Sequence, residues 1–255
     1  MPSAADGAPA RGVGAPSFLH LPALRTLGER FTLEGEEERY VTRVVRARAG
    51  ETLTASDGAG LVATLRIEQV KPALVLVLES SREHPRPASA RLLCGAPEGE
   101  RGDWLVEKLA ELGVTDLQPL DTERARWPAG RDARWERLAV AALRQSRAAW
   151  RMAIHPARGL SDAMAAAREP VRWLADPAGE PAAGRSPGTD GPAVAAIGPS
   201  PGFTEPELKA LRGSGFTLVR LAARRLRTET AALAVAALWA AARSPAGDDP
   251  AGASA

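Results

Sequence analysis

Several residue types are scarce in this chain of 255 residues. There is one cysteine, Cys94, which excludes a disulfide framework and a cysteine-rich metal site and favours a reducing compartment, so a cytoplasmic location is expected. The three histidines, His20, His84 and His155, are far apart in the sequence, and no metal site is predicted. Lysine is also rare, since 30 of the 33 basic residues are arginines.

Long apolar runs are missing too. The longest, Ala231 to Ala242, falls short of the roughly 20 residues that a bilayer span needs, so no membrane partner is expected. Residues 1–16 lack the apolar segment of a signal peptide, and residues 1–16 and 244–255 are predicted to be disordered tails. With 45% hydrophobic residues, 25% charged residues and a net charge of +2, the rest has the composition of a globular protein.

A polar segment with two prolines, Ser80 to Ala90, divides the chain into two regions of different periodicity. Before it, β-rich runs flank the hairpin signal Asp57-Gly58-Ala59-Gly60, which predicts a small β-barrel over residues 17–82. After it, strands alternate with helices, which predicts a parallel α/β sheet over residues 88–243. The segment Pro177 to Pro192, rich in proline and glycine, is predicted to be a mobile surface loop.

Two groups of arginines are candidate contacts for RNA phosphates. They are Arg39, Arg43 and Arg46, and Arg144, Arg147 and Arg151. The first group falls at i, i+4 and i+7 of a predicted helix, and the second at i, i+3 and i+7 of a long helix predicted from about Trp135 to Trp150. A solvated arginine face explains both patterns equally well, so both interpretations remain open.

The segment Gly198-Pro199-Ser200-Pro201-Gly202 follows a predicted strand and matches the nucleophile elbow of α/β-hydrolases. Two features argue against hydrolase chemistry. The oxyanion hole uses the backbone N–H of the residue after the serine, and Pro201 has none. The hydrolase triad also needs a histidine downstream, and none follows His155.

Near the C-terminus, the polar residues Arg227-Thr228-Glu229-Thr230 precede a helix predicted over Glu229 to Ala242. Thr228 as the N-cap, with Glu229 in the first turn, would be favourable without any catalysis. The longer segment Leu221 to Ala231, LAARRLRTETA, resembles the L-G-x-x-I-L-R-x-E-T-A motif of RsmE-type ribosomal RNA uridine-N3 methyltransferases in the SPOUT superfamily. Ile197 to Phe203, IGPSPGF, likewise resembles the I-G-P-E-G-G-F motif of that family.

The resemblance covers the chain from about Phe31 to Trp239. Upstream matches are Val45-Arg46, Gly50-Glu51, Asp57-Gly58-Ala59-Gly60, Lys108 to Val114 (KLAELGV) and Gln145-Ser146-Arg147. It implies a PUA-like barrel, an α/β SPOUT domain with a C-terminal trefoil knot, and a homodimer whose active site lies at the subunit interface. The implied activity is methyl transfer from S-adenosylmethionine (SAM) to N3 of a uridine in 16S ribosomal RNA, with the RNA or the small ribosomal subunit as partner.

The same resemblance implies which residues form the site. The loops that would cradle SAM contain Leu174, Ala175, Gly198, Pro199, Gly202, Leu221, Leu226, Arg227, Thr228, Thr230 and Ala231. Glycines suit this role because backbone can approach a ligand closely there. For catalysis, the hypotheses are that Arg227 stabilises an anionic uracil oxygen and that Glu229 orients Arg227 or relays the N3 proton.

Three departures from the family pattern leave a second reading open. Ser200-Pro201 stands where the family has Glu-Gly, Ala222 replaces a glycine, and Arg39-Tyr40 replaces paired histidines. Proline fixes φ and removes an N–H, which alters a loop expected to hold the cofactor. The alternative is therefore a divergent SPOUT paralogue that binds RNA without this activity or methylates a different RNA.

Overall fold

The computed structural model describes residues 17–182 and 191–243. The two predicted tails, residues 1–16 and 244–255, lie outside this range, as do residues 183–190 of the predicted loop. Among the described residues, no helix has the length and apolarity required to cross a membrane. The described part also contains no cluster of three or more histidine, cysteine or acidic side chains able to hold a metal ion.

Five strands form one sheet in the N-terminal region. They are β1 (Phe18–His20), β2 (Arg30–Leu33), β3 (Thr52–Ser56), β4 (Leu61–Gln69) and β5 (Leu74–Glu83), in the order β1-β3-β4-β5-β2. Alternating side chains such as Leu53, Leu65 and Ile67 are buried in one apolar cluster. The predicted hairpin is confirmed, because Asp57 Oδ1 accepts from the backbone of Ala59 at 2.7 Å between β3 and β4. Closure of the sheet into a barrel stays a prediction.

The helical segment between β2 and β3 differs from the prediction. Helix α1 (Gly35–Arg39) continues directly into a π-helical turn, Tyr40–Val45, and Arg46 then adopts a left-handed conformation with φ of 56°. Arg39, Arg43 and Arg46 therefore do not share one α-helical face, and that spacing argument is wrong. All three arginines are nevertheless exposed.

The predicted parallel sheet of the C-terminal region is confirmed. Its strands are β6 (Ala90–Gly95), β7 (Asp116–Asp121), β8 (Ala153–Ile154), β9 (Arg158–Gly159), β10 (Val171–Pro181), β11 (Ala193–Ile197) and β12 (Thr217–Arg220). The order is β12-β10-β11-β6-β7-β8, with β9 also paired to β7, and every pairing is parallel. Strand β11 reads AVAAI and is buried throughout, as expected for the centre of a sheet covered on both faces.

Helices cover both faces of this sheet. They are α2 (Arg101–Glu111), α3 (Asp132–Ser146), α4 (Leu160–Ala166), α5 (Glu205–Gly213) and α6 (Thr228–Ala242). One apolar cluster contains Leu105 of α2 and Trp239 of α6, and the other contains Ala163 of α4 and Leu211 of α5. Thr204 begins α5 with a capping box, since its hydroxyl accepts from the backbone of Glu207.

Helix α3 begins and ends earlier than predicted. It ends at Ser146, and Arg147 takes a left-handed conformation with φ of 55°. The following residues leave the helix because they dock on the N-terminal hairpin, where Trp150 forms an antiparallel bridge with Ala59. The proposed helical face of Arg144, Arg147 and Arg151 is therefore wrong, since only Arg144 lies on α3.

The beginning of the predicted loop Pro177 to Pro192 belongs to β10. Both Ala175 and Glu180 pair with Val219 of β12, so the four residues between them form a bulge, and pairing resumes through Pro181. Asp176 closes this bulge by accepting from the backbone of Ala178 at 2.7 Å. Pairing with β12 thus gives regular structure to residues that local sequence marks as irregular.

Candidate functional site

Three segments meet at the carboxyl edge of the parallel sheet. They follow or interrupt the neighbouring strands β10, β11 and β12: the bulge at 176–179, the loop at 198–204 and the loop at 221–227. Together with α5 and α6 they enclose a cleft of about 340 Å³. Its lining residues are Ala175, Asp176, Pro177, Ile197, Gly198, Pro199, Ser200, Gly202, Phe203, Leu208, Arg225, Leu226, Thr228 and Ala231.

A smaller recess of about 70 Å³ adjoins this cleft and shares with it Ala175, Asp176, Pro177, Leu226 and Ala231. It extends the cleft towards Leu221 and Ala222 at the end of β12. The carboxyl edge of neighbouring parallel strands is where α/β sheets bind ligands, so the position favours a ligand site.

The loop after β11 is closely held. Gly202 adopts φ of 81° and donates its N–H to the Pro199 carbonyl at 2.7 Å, closing a tight turn. Arg124 reaches this turn and donates to the Pro201 carbonyl at 3.0 Å. The turn is closed by Pro199 and Gly202, so Ser200 and Pro201, which stand where the family has Glu-Gly, lie at its tip.

Three consecutive residues at the start of α6 have different surroundings. The Thr228 hydroxyl donates to the Gly198 carbonyl at 2.9 Å and joins α6 to the loop after β11. Arg227 is exposed and lines a separate recess of about 390 Å³. The Glu229 carboxylate is buried and pairs with Arg101 of α2, with Oε1 to Nη1 at 3.2 Å.

Thr228 was predicted to be the N-cap of this helix, and that prediction is wrong. Arg227 occupies the N-cap position, with φ of −74° and ψ of 161°, and makes no side-chain capping bond. Thr228 is the first helical residue, and its hydroxyl is free to contact Gly198 instead.

The structure brings most of the predicted cofactor residues together. The cleft or its adjoining recess is lined by Ala175, Gly198, Pro199, Gly202, Leu221, Leu226, Thr228 and Ala231. The remaining three lie elsewhere: Leu174 is buried inside the sheet, Thr230 is exposed, and Arg227 faces the separate recess.

Several lining residues were not predicted. Asp176 had a usable sequence signal, because an acidic residue directly after an apolar parallel strand is well placed for ribose hydroxyls. Phe203 is the last residue of the IGPSPGF motif, whereas Leu208 and Arg225 carried no sequence signal. Their positions depend on how the loops fold over the sheet edge.

The buried carboxylate also affects Cys94 beneath it. Burial, followed by the nearby negative charge of Glu229, raises the pKa of the Cys94 thiol to about 12. The same strand end accepts a hydrogen bond from Trp127 Nε1 to the Cys94 carbonyl at 2.7 Å. The strand end beneath the site is therefore fully covered.

Two of the arginines predicted to contact RNA form ion pairs within the chain. Arg144 pairs with Glu37 of α1, and Arg151 pairs with Glu136 of α3. Arg144 and Glu37 line a crevice of about 480 Å³ between α3 and the N-terminal region. The Arg144–Glu37 pair attaches the two regions to each other, and the Arg151–Glu136 pair lies within the C-terminal region. Arg39, Arg43 and Arg46, in contrast, lie exposed.

This protein has a parallel α/β domain with a cleft beyond the carboxyl ends of three neighbouring strands. This arrangement is typical of ligand-binding α/β enzymes. Residues 84–240 match the family model of the RNA methyltransferase domain. Because this match includes more than half of the chain, the protein belongs to the RNA methyltransferase family.

Individual relatives agree with this assignment. The ribosomal RNA small subunit methyltransferase E of Mycobacterium bovis is 29% identical over 232 residues, 84% of this chain and 87% of the relative. The crystal structure of the enzyme of that name from Neisseria gonorrhoeae, bound to SAM, is 29% identical with a TM-score of 0.77, covering 88% of this chain and 98% of its own. A Legionella pneumophila protein solved with bound SAM is 28% identical with a TM-score of 0.73, covering 89% and 97%.

Proposed function

We propose that this protein transfers the methyl group of SAM to N3 of a uridine in small-subunit ribosomal RNA. The main support for this proposal is the cleft that three segments form at the sheet edge, in a chain that belongs to the RNA methyltransferase family. Similarity to a SAM-bound ribosomal RNA methyltransferase over 88% of the chain supports the substrate and cofactor classes. Because ribosomal RNA is a cytoplasmic molecule in bacteria, we place the protein in the cytoplasm.

The cleft residues fit this cofactor. Ile197, Phe203 and Leu226 provide an apolar surface for an adenine ring. Asp176 provides a carboxylate for ribose hydroxyls, since only one of its oxygens is committed to the bulge. Gly198 brings bare backbone to the cleft, where carbonyl and N–H groups can approach a ligand closely.

When bound, the cofactor supplies a methyl group activated by a positively charged sulfur. Uracil N3 attacks well only after its proton has left, so the protein must stabilise negative charge on the base and hold the reacting atoms in line. Arg227 supplies a positive charge next to the cleft for this purpose. The contact of Glu229 with Arg101 supports a positioning role for this carboxylate.

A trefoil knot is part of the proposal for the C-terminal domain. Strand β12 is the outermost strand, beyond β10, yet the helix that follows it, α6, packs on the inner strands β6 and β11 and on α2. The chain must return from the sheet edge past β10, and passage beneath the segments after β10 and β11 would produce the knot. An experimental structure with α6 outside those segments would contradict it.

A homodimer is also proposed. Helix α6 is apolar on nearly all sides, and its Leu238 is 38% exposed. On the adjacent α2, Trp104 is 48% exposed. A second copy of the chain would cover this surface, and the resemblance implies that the active site lies at such an interface.

The N-terminal region is proposed to be a PUA-like domain that binds RNA. Its exposed arginines Arg39, Arg43 and Arg46 supply positive charge for phosphates. Because Arg144 and Arg151 are paired with glutamates, we assign phosphate contacts first to the exposed group and expect the paired arginines to contribute less.

The divergent-paralogue alternative is favoured by one observation, the Ser200-Pro201 tip of the loop that lines the cleft. Titration calorimetry with SAM separates a paralogue that only binds RNA from a SAM-dependent methyltransferase, whichever RNA the latter modifies. The proposed enzyme binds SAM at micromolar concentrations, whereas absence of binding at millimolar SAM would leave only the RNA-binding paralogue.

The activity itself is tested on ribosomal RNA. Mass spectrometry of 16S ribosomal RNA from a strain that lacks the gene should show loss of N3-methyluridine, and purified protein with SAM should restore it on isolated small subunits. An unchanged N3-methyluridine level in the deletion strain would remove the proposed substrate.

A further inference from the structure

Next to the cofactor cleft lies a second recess of about 390 Å³ whose chemistry differs from that of the cleft. It is lined by Glu98, Gly99, Glu100, Arg101 and Arg227. Two guanidinium groups from separate helix starts, α2 and α6, thus face one space.

Arg101 forms an ion pair in this recess. Its Nη1 is shielded from solvent and lies 3.2 Å from Oε1 of Glu229, whose side chain is only 7% exposed. The whole Arg101 side chain is still 42% exposed, so the remaining guanidinium N–H groups are available to a ligand. A buried carboxylate that fixes a partly exposed guanidinium preorganises it for donation.

The recess and the cofactor cleft are in direct contact. The loop after β6 meets the loop after β11, where Ser200 N–H donates to the Ala96 carbonyl at 3.3 Å. At Gly95, an added Cβ would lie 2.4 Å from the backbone nitrogen of Pro199, so the two loops approach as closely as backbone allows. Arg227 lines the recess and the next residue, Thr228, lines the cleft.

We propose that this recess receives the target uracil, with Arg101 and Arg227 donating to the two carbonyl oxygens that flank N3. The inference rests on the proposed function and extends it, because it adds Arg101 as a base-contacting residue. Planar guanidinium groups suit carbonyl oxygens that gain negative charge as N3 loses its proton.

The recess also supplies a proton acceptor. Glu229 is occupied by Arg101, whereas Glu98 and Glu100 are exposed carboxylates in the lining. The N3–H bond breaks and its proton passes to one of these two carboxylates. The N3 electron pair then forms a bond to the methyl carbon, and the electrons of the sulfur–methyl bond remain on sulfur, which becomes a neutral thioether.

The test compares Arg101→Ala and Arg101→Lys with a control, Arg134→Ala. The control removes another ion pair of a partly exposed arginine, that of Arg134 on α3 with Asp103 on α2. After the wild-type protein has identified the methylated uridine, each variant is measured without cofactor. We measure the affinity of each variant for two RNA fragments. One carries the methylated uridine position as uridine, and the other has an abasic nucleotide at that position. SAM affinity is measured separately by calorimetry.

We expect Arg101→Ala to lose the preference for the uridine-containing fragment, keep its affinity for the abasic fragment and for SAM, and lower kcat about 100-fold. Arg101→Lys should recover part of kcat, and Arg134→Ala should behave as wild type. An unchanged uridine preference, or a loss of SAM affinity, in Arg101→Ala would overturn the assignment. If the wild-type protein methylates no ribosomal RNA, the proposed function fails first and the inference with it.

The proton acceptor is tested with Glu98→Gln, Glu100→Gln and the double variant. The variant that replaces the carboxylate accepting the proton should have a lower kcat, while its uridine preference and SAM affinity stay at wild-type values. Full kcat in the double variant would show that the proton goes elsewhere.

Discussion

At the start of α6, single side chains connect parts of the molecule that are distant in sequence. Thr228 contacts the loop after β11, Glu229 contacts α2, and Arg227 faces the second recess. Each of these contacts is separable by mutation, because the three side chains have different surroundings.

Thr228→Val removes one hydrogen bond and keeps the side-chain shape. The Gly198 carbonyl loses its donor, so the free energy of unfolding should fall by about 1 kcal/mol, and SAM affinity should fall several-fold because the loop lining the cleft loosens. Urea denaturation and calorimetry measure the two effects. Thr230→Val is the matched control, since that hydroxyl is exposed two residues away in the same turn. Equal effects of the two variants would contradict a role for the Gly198 contact.

Cys94 is expected to be unreactive in the folded protein. Its side chain is fully buried and its pKa is raised to about 12, so at pH 8 the thiol stays protonated and covered. A thiol-specific colorimetric reagent should therefore react in urea and leave the native protein unmodified over the same period. Fast native labelling at pH 8 would show that the strand end beneath Glu229 opens readily.

At the scale of elements, the hairpin between β3 and β4 is the attachment point of the C-terminal domain. Gly60 donates to the Ala149 carbonyl at 3.0 Å, Arg151 donates to the Gly58 carbonyl at 2.9 Å, and Trp150 Nε1 donates to the His84 carbonyl at 3.1 Å. These contacts explain why α3 ends where it does. The sequence alone predicted the hairpin but gave no indication of its partner, since the pairing is set by tertiary contacts.

Gly60→Ala tests this attachment. An added Cβ would lie 2.6 Å from Trp150 Cζ2 and 2.9 Å from the His84 carbonyl, at φ of 105°. Gly50→Ala is the control, because Gly50 also has a positive φ, 89°, and nothing within 4 Å of the added Cβ. We expect a loss of about 1 kcal/mol in unfolding free energy for Gly50→Ala and a larger loss, about 3 kcal/mol, for Gly60→Ala. If urea denaturation gave equal losses of unfolding free energy for the two variants, the Trp150 side chain would be able to move away from the added methyl group without destabilising the protein.

Other elements show why local patterns predicted the fold better than its details. The alternation of strands and helices predicted the parallel sheet, because this signal is local. The bulge of β10 depends on pairing of Glu180 and Pro181 with β12, which no local signal encodes. The same limit explains why the sequence did not single out Arg101. Its proposed role depends on Glu229, a buried residue 128 positions later in the chain.

For the whole molecule, the remaining question is what covers the exposed part of α2 and α6. A helix as apolar as α6 is normally enclosed, and the exposed Trp104 and Leu238 indicate that one side of it is not enclosed within a single chain. A second copy placed there would also bring two sets of residues near the recess at the start of α2 and α6.

Trp104→Glu and Leu238→Glu should therefore convert a dimer to a monomer. Each variant introduces a charge at a surface that the second copy would bury, and an unpaired buried charge is strongly unfavourable. Light scattering coupled to size exclusion should give twice the chain mass for the wild type and once for the variants. Val44→Glu is the control: Val44 is 69% exposed but lies in the N-terminal region, so this variant should remain dimeric. A wild-type protein with the mass of one chain would contradict the dimer, and dissociation of all three variants would place the interface elsewhere.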